Sequence, residues 1–390
     1  MPQEDETPDF NPETAADAGR ASDIEVTKAH KTSYSHSAPL DIEANDIGYL
    51  ATFLLGTPSR EFRLLVDSGS ADMWVGGERC QGDDGDSCGD HRFLGPKSSS
   101  SFRDTGRPWY TGYGTGTVSG NLVNDAVKLA DLRLQNHTFG VTQNESAQFT
   151  ADDIPLDGVI GCAKQSLSIQ QTPTLLNALK TADLIAERTF SYKISRESDG
   201  KNDGEITVGG MDPSKYDASS LIRVKNVNDA GFWEAKLDAM KVNNQVVDLG
   251  DRSCIFDTGT TLFIAPKPVG VSCQNLKGGI YNGSKLQDVD AIHKSIPGAK
   301  FEDSVNAWTV PCNTTILVAL IIGKRSFPIR PDDLAFLPFD NTTGACTSAI
   351  AGGDVNEGPT HWLIGDTWLK NVYLSTNEDT NEISVARLAN

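Results

Sequence analysis

The 390-residue sequence predicts an all-β protein, mostly strands with a few short helices, arranged as two similar lobes. Three observations predict it. From about Gly48 onward, short apolar runs alternate with turns rich in Gly, Asn, Asp and Ser, the texture of many brief strands. Helical periodicity is confined to two stretches. One pair of motifs, an acid–hydroxyl–glycine triplet followed later by apolar–apolar–glycine, occurs twice in the same order.

Along the chain, residues 1–46 are acidic and poor in large apolar side chains, and read as a disordered leader or propeptide remnant. Residues 47–190 form the expected first lobe. Its strand-like runs are "YLATFLLG", "FRLLVD", "DMWVGG", "TVSGNLV" and "NHTFGVT". The stretch 172–185, "TPTLLNALKTADLI", predicts a helix, with Thr172 before a proline and apolar residues at helical spacing. Residues 191–390 form the expected second lobe. Strand-like runs resume near "RTFSYKISRE" and continue through "GEITVGG" and "FWEAKLDAMKVNNQVVDL", with a second short helix predicted over 289–296. The chain is too long for one comfortable core, which also argues for two lobes.

Composition excludes several function classes. Net charge is −19, with 11 Asp/Glu against 3 Lys/Arg in residues 1–46, and an acidic surface argues against nucleic-acid binding. Such a charge suits either solubility or work at low pH. The longest apolar run, "ILVALIIG", is far short of a membrane span, and the opening "MPQEDETPDF" does not resemble a secretory signal. Of seven cysteines, Cys80 and Cys88 bracket a short polar loop suited to a local disulfide, and Cys312 and Cys346 bracket a longer segment that a second bridge could close. Cys162 and Cys254 lie in apolar surroundings and read as buried thiols, with Cys273 left over. No C-x-x-C occurs, so neither a zinc site nor a redox motif is expected. Five N-x-S/T sequons, at Asn136, Asn144, Asn282, Asn313 and Asn341, lend weak support to an exported glycoprotein.

The repeat carries the chemistry. "LLVDSGSADMWVG" (64–76) ends an apolar run in Asp67, and "SCIFDTGTTLFIA" (253–265) does the same at Asp257. Asp67 is followed 94 residues later by Gly161 in "LDGVIGCA", and Asp257 is followed 108 residues later by Gly365 in "HWLIGDTWL". Two such lobes meeting at a pseudo-twofold axis would set the two acids face to face. Two carboxyls a hydrogen bond apart cannot both ionise, so they share one proton. The ionised one can take a proton from a trapped water, and the protonated one can give a proton to a carbonyl. Gly69 and Gly259 would let the backbone approach its symmetry mate. Ser68 and Thr258 would bridge the lobes beneath the acids, while Ser70 and Thr260 would donate to their outer oxygens. A lone D-[ST]-G is an ordinary turn, but two copies behind apolar strands, each with an apolar–glycine partner, are not. Rival motifs fail: "GYGTGTVSG" lacks the dinucleotide-loop spacing, there is no G-x-S-x-G or H-E-x-x-H, and "DDGD" (83–86) lacks a calcium loop's closing Glu.

With these residues in view, residues from about 47 to 390 resemble a pepsin-like aspartic protease of the fungal secreted or vacuolar type. The resemblance rests on "VDSGSADMWV", "YGTGTVSG", "LDGVIGCA", "FDTGTT" and "LIGDTWL", in the family's order. It implies a bilobal acid protease fold, with Asp67 and Asp257 as the catalytic pair and no metal or cofactor. "TGYGTGTVSG" resembles the flap, with Tyr113 lining the cleft and Gly114 and Thr115 bonding the substrate backbone. Trp74 matches the tryptophan that bonds the flap tyrosine. Gly69 and Gly259 would meet the substrate near the scissile bond, and Thr260 and Thr261 the residues before it. An extended peptide would bind by strand-like contacts. The implied partners are peptide or protein substrates and pepstatin-type inhibitors; a zymogen-derived monomer, secreted or vacuolar, is expected, with its mature N-terminus near residues 40–47. Cys80–Cys88 and Cys312–Cys346 fall where the family has bridges, whereas Cys254 lies too near Asp257 to match its third.

Three departures stand out. The first triplet is DSG rather than DTG, which keeps the hydroxyl and loses one methyl. Thr115 stands where many fungal relatives have aspartate, which implies a preference for large apolar residues before the cut. The leader is acidic where pepsin prosegments are basic; only "TKAHK" (27–31) has a charge suited to the acidic pair. The other reading is a catalytically silent binding or inhibitor protein on the same fold. Such a protein would have lost an acid, the flap tyrosine or a hydroxyl partner, and here each is present.

Overall fold

A computed structural model describes residues 26–389 apart from 44–45, 115, 152–153, 267–287, 306, 341, 354, 356–357 and 359. The protein is all-β, as its alternating sequence texture predicts. In the strand Arg60–Asp67, Phe62, Leu64 and Val66 are buried while the residues between them are more exposed. That two-residue period places one face on the core. Each such side chain contributes roughly 1.5–3 kcal/mol by leaving water.

In the first half, six strands close into a ring. Gly48–Leu55 pairs with Arg60–Asp67, then follow Gly158–Gly161, Met73–Gly82, Leu132–Glu145 and Thr117–Leu129, which returns to Gly48–Leu55. A closed ring leaves few open strand edges. Arg60–Asp67 runs parallel to Gly158–Gly161, with Asp67 opposite Gly161. In the second half the corresponding pair is also parallel: Arg252–Phe256 beside His361–Ile364, with Phe256 opposite Ile364. The pattern repeated in the sequence is therefore repeated in the pairing.

A run of antiparallel strands joins the halves: Ser37–Glu43, Glu205–Val208, Thr189–Lys193, Val372–Asn377, Glu382–Arg387 and Ile222–Lys225. The expected lobe boundary at residue 190 falls inside one of these shared strands. The described part of the expected disordered leader is ordered, while residues 1–25 lie outside the described residues. Val26–Thr27 pairs with Ile42 and Glu43, and Ser37–Glu43 is inserted between Gly48–Leu55 and Glu205–Val208. Ala38, Leu40 and Ile42 alternate into the core, a pattern hidden by the acidic average of the segment. Lys28 of the basic run "TKAHK" pairs with Asp41 at the sheet edge.

The helix predicted over 172–185 is Leu175–Thr181, capped by Thr174, whose Oγ1 accepts from the Asn177 amide at 3.3 Å. Asp183, at φ 55°, stands where the predicted span continued. The second predicted helix is Asp288–His293. Disulfides join Cys80 to Cys88 and Cys312 to Cys346. Cys162 and Cys254 are buried thiols, and Cys273 lies outside the described residues. Asn136, Asn144 and Asn313 are exposed, while Asn282 and Asn341 are outside the described residues.

Candidate active site

The two D-[ST]-G loops leave equivalent strand ends and meet. Ser68 Oγ donates to the Phe256 carbonyl (2.9 Å) and accepts from the Thr258 amide (3.0 Å). Thr258 Oγ1 donates to the Val66 carbonyl (2.6 Å) and accepts from the Ser68 amide (3.0 Å). Four reciprocal bonds thus tie the halves together with no buried hydroxyl left over. Both hydroxyl residues are essentially inaccessible to water.

Above this tie the carboxyls are held by matching donors. The Gly69 amide donates to Asp67 Oδ1 and the Gly259 amide to Asp257 Oδ1, each at 2.8 Å. Ser70 Oγ donates to Asp67 Oδ2, and Thr260 Oγ1 donates to Asp257 Oδ2 at 2.7 Å. A Cβ on Gly69 would lie 2.6 Å from the Asp257 carboxyl, and one on Gly259 would lie 2.5 Å from Asp67 Oδ1. Each glycine is therefore a requirement of the close approach. The two carboxyls therefore lie side by side across the seam, and burial followed by the neighbouring Asp257 charge holds the Asp67 carboxyl well above the usual range. That is the behaviour of two acids sharing one proton.

The apolar–glycine partners have a steric reason. A Cβ on Gly161 would lie 2.4 Å from the Ala71–Asp72 backbone, and one on Gly365 would lie 2.1 Å from the Thr260 carbonyl. Their neighbours brace the triplets: the Cys162 amide donates to the Asp67 carbonyl (2.7 Å) and the Asp366 amide to the Thr260 carbonyl (2.8 Å).

The hairpin of Arg103–Gly112 and Thr117–Leu129 carries Tyr113 and the exposed Gly114 at its turn, closed by the Tyr113 amide on the Gly116 carbonyl (2.7 Å). Thr115 lies outside the described residues. Trp74 Nε1 donates to Tyr113 Oη at 2.7 Å. Phe149 meets both rings edge-on, at 5.4 Å from Trp74 and 5.7 Å from Tyr113. Burial pushes the Tyr113 phenol upward, so it stays protonated while accepting from Trp74. Thr261, half-buried, donates its hydroxyl to the Ile47 carbonyl (2.7 Å).

Sequence reasoning missed three neighbours. Asp366 follows the second apolar–glycine motif directly and is fully buried, and neither carboxyl oxygen has a hydrogen-bond partner among the described residues. Burial, then the Asp257 charge, pushes its carboxyl well upward and keeps it neutral. A charged letter inside "LIGDTWL" was the available signal. Asp72 accepts from the Ile169 and Gln170 amides (2.7 and 3.0 Å) and so fixes the loop beside the first triplet. Phe149 stands in a four-residue helix too short to show periodicity.

The family model described as eukaryotic aspartyl protease matches residues 48–388. The chain is 32% identical over 345 residues to the probable aspartic-type endopeptidase CTSD of Trichophyton verrucosum, covering 87% of this chain and 61% of that protein. It is 29% identical over 367 residues to the aspartic-type endopeptidase ctsD of Aspergillus fumigatus, covering 94% of this chain and 71% of that protein. Rhizopuspepsin-1 of Rhizopus niveus is 29% identical over 365 residues, with 92% and 84% covered.

Proposed function

The chain belongs to the eukaryotic aspartyl protease family, and from that premise we propose that it is an aspartic endopeptidase acting at acidic pH. Asp67 and Asp257 are the catalytic pair. With one proton between them, the ionised carboxylate accepts a proton from a water held between the two groups. The resulting nucleophile attacks the peptide carbonyl while the protonated carboxyl donates to the carbonyl oxygen. Aspartic proteases are the standard instance of this shared-proton effect. Ser70, Thr260 and the Gly69 and Gly259 amides hold the carboxyls in place without taking part in proton transfer. Tyr113 and Gly114 close over an extended peptide, with Trp74 setting the tyrosine's position. Large apolar residues are favoured around the scissile bond, and the packing of Tyr113 against the buried rings of Trp74 and Phe149 supports that reading. Two disulfides suit a secreted or vacuolar enzyme.

The observation that carries this reading is the reciprocal Ser68–Thr258 bonding, which brings two D-[ST]-G loops from residues 190 apart together with their carboxyls side by side. Hydrolysis of denatured haemoglobin or casein at pH 3–5, with and without pepstatin, tests it. Asp67→Asn and Asp257→Asn are each expected to lower turnover at least about 10³-fold while the folded spectrum is kept. Pepstatin-insensitive turnover, or full activity in either variant, would overturn it. A folded protein with no turnover at any acidic pH would favour the silent binding protein instead.

A further inference from the structure

A cavity of about 610 Å³ opens where the Thr189–Lys193 strand, the 196–203 turn, the end of the Arg325–Ile329 strand, Lys370 and the last residues 387–389 converge. In a chain of net charge −19, its wall is cationic. Lys193, Arg196 and Lys370 line it as buried groups, with Lys215 half-buried beside them. Lys201, Arg330 and Arg387 line it as exposed groups. Asp199 and Asp203 are the carboxylates on the same wall. Asp46, Glu205, Asp332 and Asp333 pair with the wall cations from outside the lining, and with all six counted the cations still outnumber the acids.

Two features point to a ligand rather than to a closed ion-pair network. Among the described residues, no carboxylate lies within ion-pairing distance of Lys201 or Arg387. Arg196 directs Nε and Nη2 to Asp333 at 2.8 and 2.5 Å, whereas the carboxylate nearest Nη1 is Asp199 at 3.9 Å, beyond hydrogen-bond length. The buried cations are matched by acids, so the surplus is carried by the exposed Lys201 and Arg387, and on a concave wall such a surplus focuses anions.

We propose that this cavity binds a small oligophosphate, an anion carrying several phosphate groups. Guanidinium forks match phosphate oxygens in pairs, and lysines meet them as point charges. The volume lies within the usual range for small-ligand sites, and the charge is spread over more groups than a single phosphate can meet. The site is separate from the carboxyl pair and does not depend on the peptidase reading.

The test is inorganic tripolyphosphate titrated into the full chain at constant ionic strength, read by calorimetry and by Tm. A saturable heat and a saturable rise in Tm are expected. The double variant Lys201→Gln/Arg387→Gln changes two exposed side chains, and its ligand-free Tm checks that it folds. It is expected to bind at least about tenfold more weakly, since one hydrogen bond to a charged group is worth about that factor. Its turnover of casein is expected to equal that of the parent. Four results would overturn the proposal: no saturable signal, an equal Tm rise with sodium chloride, unchanged affinity in the double variant, or binding of a Glu-rich peptide but not tripolyphosphate.

Discussion

Ser68 joins the two halves twice, once as donor to the Phe256 carbonyl and once as acceptor from the Thr258 amide. Ser68→Ala removes both bonds and strands a buried amide. We expect a loss of about 1–3 kcal/mol in stability, measured by urea unfolding, together with a fall in turnover. Ser68→Thr keeps both bonds and is expected to preserve turnover. The glycines act differently, because their fault would be steric. Gly69→Ala places a methyl 2.6 Å from the Asp257 carboxyl, and Gly259→Ala one 2.5 Å from Asp67. Either change must push the carboxyls apart. Turnover is expected to fall far more than stability does, and comparison of kcat with the urea midpoint separates the two.

At the scale of elements, Tyr113 at the turn of the flap hairpin is held by a side-chain bond from Trp74. Trp74→Phe keeps most of the aromatic packing and loses the donor. We expect about 1 kcal/mol of lost positioning, roughly a fivefold rise in KM for a peptide substrate with a smaller change in kcat. The Ser37–Glu43 strand makes a second point. It lies between Gly48–Leu55 and Glu205–Val208, so a mature start within residues 40–47 would cut it. A chain starting at Ser37 is expected to fold. A chain starting at Asn45 would expose both neighbouring strand edges and is expected to aggregate or lose its cooperative transition, which thermal unfolding would reveal.

For the molecule as a whole, buried acids make stability depend on pH. Burial raises Glu145 to about 7, against the opposing bond from Thr142. A folded-state value above the unfolded one means that the contribution is fully present below about 4.5 and is lost as pH rises through about 7. The loss is on the order of 3 kcal/mol. Asp67 and Asp366 act in the same direction. Asp333 opposes them. Burial alone would raise it, but its Arg196 hydrogen bond and the Lys370 charge hold it below the ordinary range, so its contribution is lost as pH falls. Stability should therefore peak on the acid side of neutrality. Urea midpoints from pH 3 to 8 check this, and Glu145→Gln should flatten the fall toward pH 8. Reduction should matter as well. In the loop-entropy account, the Cys80–Cys88 and Cys312–Cys346 bridges, with separations of 8 and 34 residues, contribute about 2.5 and about 4 kcal/mol.

The sequence by itself determined the strands, the internal repeat and the two acids. Alternation in "FRLLVD" and the doubled D-[ST]-G with its glycine partner are local patterns, and a two-residue period or a forced glycine leaves its mark on neighbouring letters. Only the tertiary structure decided how Ser37–Glu43 is used, what Asp366 faces, that the Thr261 hydroxyl bonds the Ile47 carbonyl, and that seven cations from distant segments share one cavity. Each of these depends on groups far apart in the chain, and the field or contact one residue exerts on another is set by distance in space, which spacing along the chain does not encode.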